Sequence, residues 1–301
     1  MYSSFKKQQI LTESWRKFLL ENDGSETLDD LFSKSPSGRE RPSWINEELK
    51  ESELSELISK LDEDRIRLFF KRHVNYSPET FNSMDELDKA ICTSIILFTG
   101  GNVASVRDPE KFKDDIEQKP IDIYDPRTRT NKRFLDSATK YQYQVANHVI
   151  NTMANMKNEK ISGDVYRGMM LSMTTFKKQI SVGKTFGGST ITSWSTSSDV
   201  ASEYTTKTLI GIPEGDIASV YFEMTAPKYG TYIGDFSVFR REYEFIIGKP
   251  IVIEQIREVR SPTKTPDGKN RFSFIVTCRV AESASSSGSF IKNLWNRITG
   301  N

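Results

Sequence analysis

Cysteine and histidine are nearly missing from this chain. Only Cys92 and Cys278 occur among its 301 residues. Neither a disulfide framework nor a cysteine-built zinc cluster is therefore available, and a reducing compartment is expected. His73 and His148 are the two histidines, and His148 falls inside an amphipathic helical pattern. Both are expected to be structural. Without a partnered histidine, a serine or cysteine nucleophile has no evident base, which argues against hydrolase triads. Long apolar runs are missing too. The most apolar stretch, Ile91–Phe98, is far shorter than a membrane span, and Met1-Tyr2-Ser3-Ser4-Phe5-Lys6-Lys7 leads into mixed polar residues rather than the apolar core of a signal peptide. A cytoplasmic protein with no transmembrane segment and no metal is expected.

A strong net charge is also absent, the whole chain carrying +1. The distribution is uneven. Residues 1–135 hold 22 basic and 26 acidic residues, net −4, and residues 136–301 hold 20 and 15, net +5. That suits a C-terminal half that meets an anion such as a dinucleotide, and it is too mild to argue for nucleic-acid binding by itself. What is present describes an ordinary globular protein, 36% hydrophobic and 28% charged, long enough for one large domain or two modest ones.

The first third reads as helical. Trp15, Phe18, Leu19 and Leu31 suggest one or two short helices before the break at Ser35–Pro42, and Ile45, Leu49, Leu54, Leu57, Ile58 and Leu61 recur at helical spacing. Ser77-Pro78 offers a cap followed by proline, and Ser83-Met84-Asp85-Glu86 reads as a capping box opening a helix to Gly100. Charge and proline mark 102–135 as a loop or linker. From Ser137, the positions of Ala138, Tyr141, Val145, Val149, Met153 and Met156 predict an amphipathic helix. The period then changes to two, predicting strands at Val165–Arg167, Ser219–Ala226, Glu244–Ile247, Ile251–Val259 and Phe272–Val280, the last two joined by a turn at Pro266-Asp267-Gly268. One helix followed by strands without alternation predicts an α+β domain at 136–281 after an N-terminal region, 1–135, that serves as adaptor or regulator. The tail, 282–301, is Ser-rich and ends in Phe290, Ile291, Leu294, Trp295 and Ile298 on one helical face: a helix docking on its own domain, or a membrane or partner anchor.

Gly183-Lys184-Thr185 imitates the end of a phosphate-binding loop, but the glycine required five residues earlier is Lys178, and that reading is rejected. Three other pieces carry chemistry. Arg167 is followed by Gly168, whose missing side chain would let a ligand approach the backbone. Thr192-Ser193-Trp194-Ser195-Thr196-Ser197-Ser198 is a hydroxyl-rich strand end. Arg240-Arg241-Glu242-Tyr243-Glu244-Phe245-Ile246-Ile247 reads as a strand on which Glu242 and Glu244 share one face, where like charges raise each other's pKa. Each piece alone has a plain alternative: a surface salt bridge, a polar turn, an acidic edge strand.

Together, Tyr166-Arg167-Gly168, Ser195-Thr196-Ser197 and the pair Glu242 and Glu244 resemble the mono-ADP-ribosyltransferases of the Arg–Ser–Glu class, which include bacterial binary toxins and transferases of T4-like bacteriophages. The resemblance covers roughly 137–280 and implies a split β-sandwich core holding NAD+ as substrate in a cleft between two small sheets. It implies that Arg167 grips the pyrophosphate as a bidentate donor, aided by Gly168, Thr196 and Ser197 in the cofactor-binding set. Ser195 would bond a ribose hydroxyl or hold the catalytic glutamate. Glu244 would stabilise the oxocarbenium-like state as nicotinamide leaves, and Glu242 would polarise the acceptor. A glutamate at 242 implies an arginine acceptor on a protein target. Tyr232, Phe236 and Phe239 of the preceding loop would pack on that target, and Tyr204 would stack on nicotinamide or pack in the core. Transfer to RNA or DNA, and an inactive binding module, are the alternative readings. An antitoxin or host protein is a further partner expected through 1–135.

Overall fold

The computed structural model describes residues 51–75, 78–100, 103–109, 121–125, 130–135, 138, 140–187, 191–206, 215–265 and 268–281. The helices expected within 1–50, the tail at 282–301, and Pro266 and Asp267 lie outside them. In chain order the helices of the first half are α1 (Glu51–Lys60), α2 (Glu63–Arg72), α3 (Pro78–Ser83), α4 (Glu86–Thr99) and α5 (Val103–Arg107), followed by β1 (Ile121–Asp125), β2 (Thr130–Leu135) and α6 (Lys140–Asn155). Then come β3 (Asp164–Ser172), α7 (Met173–Gln179), β4 (Thr185–Phe186), β5 (Thr192–Ser195), α8 (Ser198–Tyr204), β6 (Ile217–Thr225), β7 (Thr231–Tyr232), β8 (Glu244–Ile247), β9 (Ile251–Lys264) and β10 (Asn270–Val280). Helices first and a mixed, largely antiparallel set of strands afterwards make the α+β class plain. No helix among the described residues is long and apolar enough to cross a membrane.

The chain divides into two compact units that interleave in sequence. The first takes Met1–Lys160, Ser193–Thr196 and Gly230–Ile247. Its core is built by α4 and α6, where Ile91, Ile95, Leu97, Phe98, Val149, Ile150 and Met153 are fully buried. That burial, at about 25 cal/mol per Å² of apolar surface, is what holds helices this short together. The caps are local. Asp62 accepts the Arg65 N–H at 2.8 Å and opens α2; Asp85 accepts the Asp88 N–H at 2.9 Å and opens α4. The expected capping box at Ser83 is corrected by this, because Ser83 ends α3 and its hydroxyl donates back to the Thr80 carbonyl. Asp85 also pairs with Arg65 and Arg72, so ionic and capping roles coincide in one carboxylate. Buried Asp88 takes Arg65 Nη2 at 2.7 Å and His73 Nε2 at 2.9 Å, and His148 Nε2 lies 3.0 Å from the Leu61 carbonyl. Both histidines are structural.

The stretch 102–135 departs from the expected loop. It contains α5 and an antiparallel hairpin, β1 with β2, registered Asp125 to Thr130. Alternation of Ile121 and Ile123 with Asp122 is the strand signal, and the surrounding charge and proline hid it. Strands β5, β8 and β7 complete the first unit in that order, with β7 antiparallel to β8 through Thr231 opposite Ile246. Thr231 Oγ1 donates to the Met153 carbonyl at 2.7 Å, tying β7 to the end of α6.

The second unit takes Ile161–Thr192, Ser197–Tyr229 and Gly248–Asn301. Its strands run β4-β9-β10-β6-β3, antiparallel except for the parallel pair β10 and β6. Burial alternates along β10 at Phe274, Val276, Cys278 and Val280, as a strand with one covered face requires. Gly183 lies in a turn, its N–H donating to the Ile253 carbonyl, and Thr185 pairs with Val252 in β4, which is not a phosphate-loop geometry.

Candidate active site

In the first unit, the segment Gly230–Ile247 crosses from β7 to β8 and carries both acidic candidates. Arg240–Glu242 forms one turn of 3-10 helix, Tyr243 takes the left-handed conformation (φ 48°, ψ 48°), and Glu244 begins β8. The expectation that Glu242 and Glu244 share one strand face is therefore corrected. Glu242 lies on a helical turn, half-buried, while Glu244 is only 7% exposed. A left-handed non-glycine residue costs of order 1 kcal/mol. Two anchors hold it: Ser195 Oγ donates to the Glu242 carbonyl at 2.6 Å, and the Thr196 N–H donates to the Tyr243 carbonyl at 3.0 Å. The hydroxyl-rich strand end thus braces the acidic turn through its backbone.

Burial pushes the Glu244 carboxyl up to about 7. A hydrogen bond from the Ser193 hydroxyl pulls the other way, the Glu242 charge raises it further, and the Arg107 guanidinium and the Ser237 hydroxyl lower it. Ser193, Ser237 and Arg107 were not among the residues singled out from sequence. Ser193 had a signal, since it precedes Ser195 by two and so shares its strand face. Ser237 sat unremarked in the recognition loop. Arg107 had none, being separated from Glu244 by over a hundred residues and placed by α5, whose end is held by Asn147 Nδ2 donating to the Val106 carbonyl at 2.8 Å.

The loop 233–239 is pinned where sequence suggested freedom. Phe236 is 3% exposed and packs on Phe69 (ring centroids 4.8 Å) and Phe70 (5.8 Å), which corrects its expected place on a target. The Val238 N–H donates to Thr99 Oγ1 at 3.0 Å. Tyr232 is half-buried in β7, opposite Phe245. Phe239 is the ring of the three that faces out, 53% exposed, and Tyr243 joins it at 47%.

In the second unit, Arg167 lies mid-way along β3 opposite Phe222 of β6, half-buried. Gly168 has a different reason from the one expected. A Cβ there would lie 1.8 Å from the Ala201 carbonyl oxygen and 2.9 Å from the Thr205 nitrogen, so it is the backbone of α8 that closes on the strand. By strand alternation Arg167 points away from α8. Ser197 is the N-cap of α8, its Oγ accepting from the Val200 N–H, and Tyr204 sits half-buried in the last turn of that helix. Cys278 is buried with its thiol pushed up to about 12, and burial likewise raises the Cys92 thiol, so neither is a thiolate nucleophile. Among the described residues no group of three or more His, Cys, Asp or Glu side chains could hold a metal ion.

No protein-family model matches the sequence, and no curated protein is similar to it by sequence. Among solved structures the chain is similar to the Vis toxin, an ADP-ribosyltransferase from Vibrio splendidus, at 15% identity, covering 82% of this chain and 94% of that one with a TM-score of 0.42. It is also similar to exoenzyme S from Pseudomonas aeruginosa, solved with human 14-3-3 protein beta and carba-NAD, at 13% identity, 80% and 95% coverage and a TM-score of 0.34. A third is the ADP-ribosyltransferase HopU1 of Pseudomonas syringae, at 15% identity, 74% and 87% coverage and a TM-score of 0.32.

Proposed function

We propose that the protein is an NAD+-dependent mono-ADP-ribosyltransferase that moves ADP-ribose to an arginine of a protein target and releases nicotinamide. The observation that carries this reading is the acidic turn. One left-handed residue, Tyr243, puts two carboxylates two positions apart into opposite surroundings, Glu244 buried among hydroxyls and Glu242 nearer the surface. Two chemistries on one substrate need that contrast.

Glu244, ionised, accepts the 2′-hydroxyl of the nicotinamide ribose and stabilises positive charge at C1′ as the C1′–N bond breaks, the electron pair leaving with nicotinamide. The acceptor nitrogen then bonds to C1′, and its proton passes to Glu242. Arg167 matches the pyrophosphate as a planar fork, which a lysine could not reproduce. Because the ionised form of Glu244 acts, NAD+ cleavage rises as pH increases through about 7.

Replacement of the two glutamates separates their roles. Glu244→Gln is expected to lower kcat for NAD+ cleavage by about 10²–10⁴-fold with NAD+ affinity nearly unchanged. Glu242→Gln should impair transfer to a guanidine acceptor more than hydrolysis. Equal loss of both activities in Glu242→Gln would overturn the division of labour, and large loss of affinity in Glu244→Gln would overturn the role of Glu244.

A further inference from the structure

Arg65, Phe69 and His73 stand four residues apart on α2 and its C-cap, so they share one stripe of that helix. Phe69, the middle member, is fully buried and seats Phe236 of the loop, ring centroids 4.8 Å apart. The outer two are both held by Asp88, whose Oδ1 accepts Arg65 Nη2 at 2.7 Å and whose Oδ2 lies 2.9 Å from His73 Nε2. Asp88 is 2% exposed and belongs to the first turn of α4. Thr99, the last residue of the same helix, takes the Val238 N–H at 3.0 Å. One carboxylate thus sets α2 against α4, and these two helices hold the loop at Phe236 and at Val238. The acidic turn has a separate hold on β5, where Ser195 Oγ and the Thr196 N–H donate to its Glu242 and Tyr243 carbonyls. Loop and turn meet at the loop's ends: the Ile233 N–H donates to the Glu244 carbonyl at 2.9 Å, and the Glu242 N–H donates to the Phe239 carbonyl at 2.8 Å.

We infer that Asp88 is a positioning residue for the acceptor side of the reaction: bonded to Arg65 and His73, it fixes the seat of the loop that bears Phe239, while β5 fixes the turn that bears Glu244. The inference rests on the activity proposed above. A buried ion pair is a poor device for stability, because desolvation takes back much of the attraction. Here Arg65 Nε is buried with no hydrogen-bond partner among the described residues, which adds to that cost. What ionic pairing supplies is direction. Apolar contacts alone let one helix slide on another, whereas a carboxylate bonded on both sides of Phe69 fixes one register. Asp85 lies at the edge of the same cluster and pairs with Arg65 and Arg72, so the cations that face Asp88 keep a second carboxylate when Asp88 loses its charge. Loosening the clamp therefore moves the loop and spares the turn.

The test is backbone amide hydrogen exchange on the full chain labelled with nitrogen-15, read beside NAD+ cleavage and transfer to poly-arginine. In Asp88→Asn the Phe236 and Val238 amides are expected to lose protection by about tenfold or more, the size of one hydrogen bond to a charged group. The Thr196 amide, bonded to the Tyr243 carbonyl, should stay within about twofold of the native chain. The KM for poly-arginine should rise by about tenfold, while kcat for NAD+ cleavage without acceptor changes by less than about twofold. Val145→Ala, a core truncation in α6, controls for general weakening and should not separate the loop amides from Thr196. Three amides weakened alike in Asp88→Asn, none weakened, or an unmoved KM for poly-arginine would overturn the inference. Should Asp88→Asn fail to fold, Arg65→Lys and His73→Gln each loosen one side of the clamp and supply the same comparison. Selective loss of protection in the loop with no NAD+ cleavage by the native chain leaves the clamp standing and removes the enzyme reading, whereas cleavage with unseparated amides removes the clamp alone. A native chain that cleaves NAD+ and leaves poly-arginine unlabelled removes the arginine acceptor, and the amides then decide the clamp.

Discussion

Glu244 is placed at a cost to the fold. Its carboxyl goes from an ordinary value of 4.5 to about 7, mainly because burial disfavours the charged form. A folded-state pKa above the unfolded one means that the protonated group stabilises the fold. That contribution is fully present below pH 4.5 and is lost as pH rises to about 7, a swing of roughly 3 kcal/mol. Glu244→Gln has no such dependence. Its stability relative to the native chain should therefore improve by roughly that amount between pH 4.5 and pH 7.5, as read from denaturant midpoints at the two pH values. A constant difference would show that Glu244 titrates like a solvated carboxyl. Gain in stability with loss of activity is the pattern expected of a group kept for chemistry.

At the scale of elements, two contacts decide where site residues stand. The first is α8 on β3. Gly168→Ala puts a methyl carbon 1.8 Å from a backbone oxygen, and a backbone atom cannot swing aside as a side chain can. Displacement of α8 is expected, with a stability loss of about 1–3 kcal/mol or more in thermal melts. A neutral melt would mean that α8 is not seated there. The second is the loop between β7 and β8. Phe236→Ala empties a site lined by Phe69 and Phe70 and should cost about 3–5 kcal/mol. Phe239→Ala, at an exposed position, should change stability by less than about 0.5 kcal/mol while weakening use of a protein acceptor. Equal effects of the two on stability would contradict the packing described here.

The whole molecule brings its acidic turn together late in the chain. The first unit is built from three separated stretches, so Ser193–Thr196 and Gly230–Ile247 join the helices of a stretch that ends at Lys160. Long separations of this kind slow folding, because loop closure is paid before the contacts form. The proposed activity is tested at this scale by incubating the purified chain in lysate with NAD+ labelled in its adenylate half. Label is expected in the protein fraction and should be released by neutral hydroxylamine, as arginine adducts are. Label in nucleic acid would keep the enzyme and change its acceptor, and none above the Glu244→Gln control would remove the enzyme.

Local chemistry alone determined much of this protein. Hydrophobic period placed α6, β3, β6, β8, β9 and β10, because amphipathic spacing is a property of neighbours in the chain, and cap and glycine signals bounded α4. Residue type drew attention to Arg167, Ser195, Glu242 and Glu244, since each is a side chain with one conspicuous chemical use. What sequence could not decide was which atoms close on which. Strand alternation put Glu242 and Glu244 on one face; backbone bonds from Ser195 and Thr196 bent that strand into a helical turn and parted them. An apolar ring in a loop, Phe236, reads the same whether it faces solvent or a helix, and only Phe69 and Phe70 settled it. Gly168 invites a ligand in sequence and admits a helix in space. The raised carboxyl of Glu244 is the clearest case: Ser193 and Arg107 act on it from distant stretches and Ser237 from its own, and burial, its main cause, does not exist until the fold does.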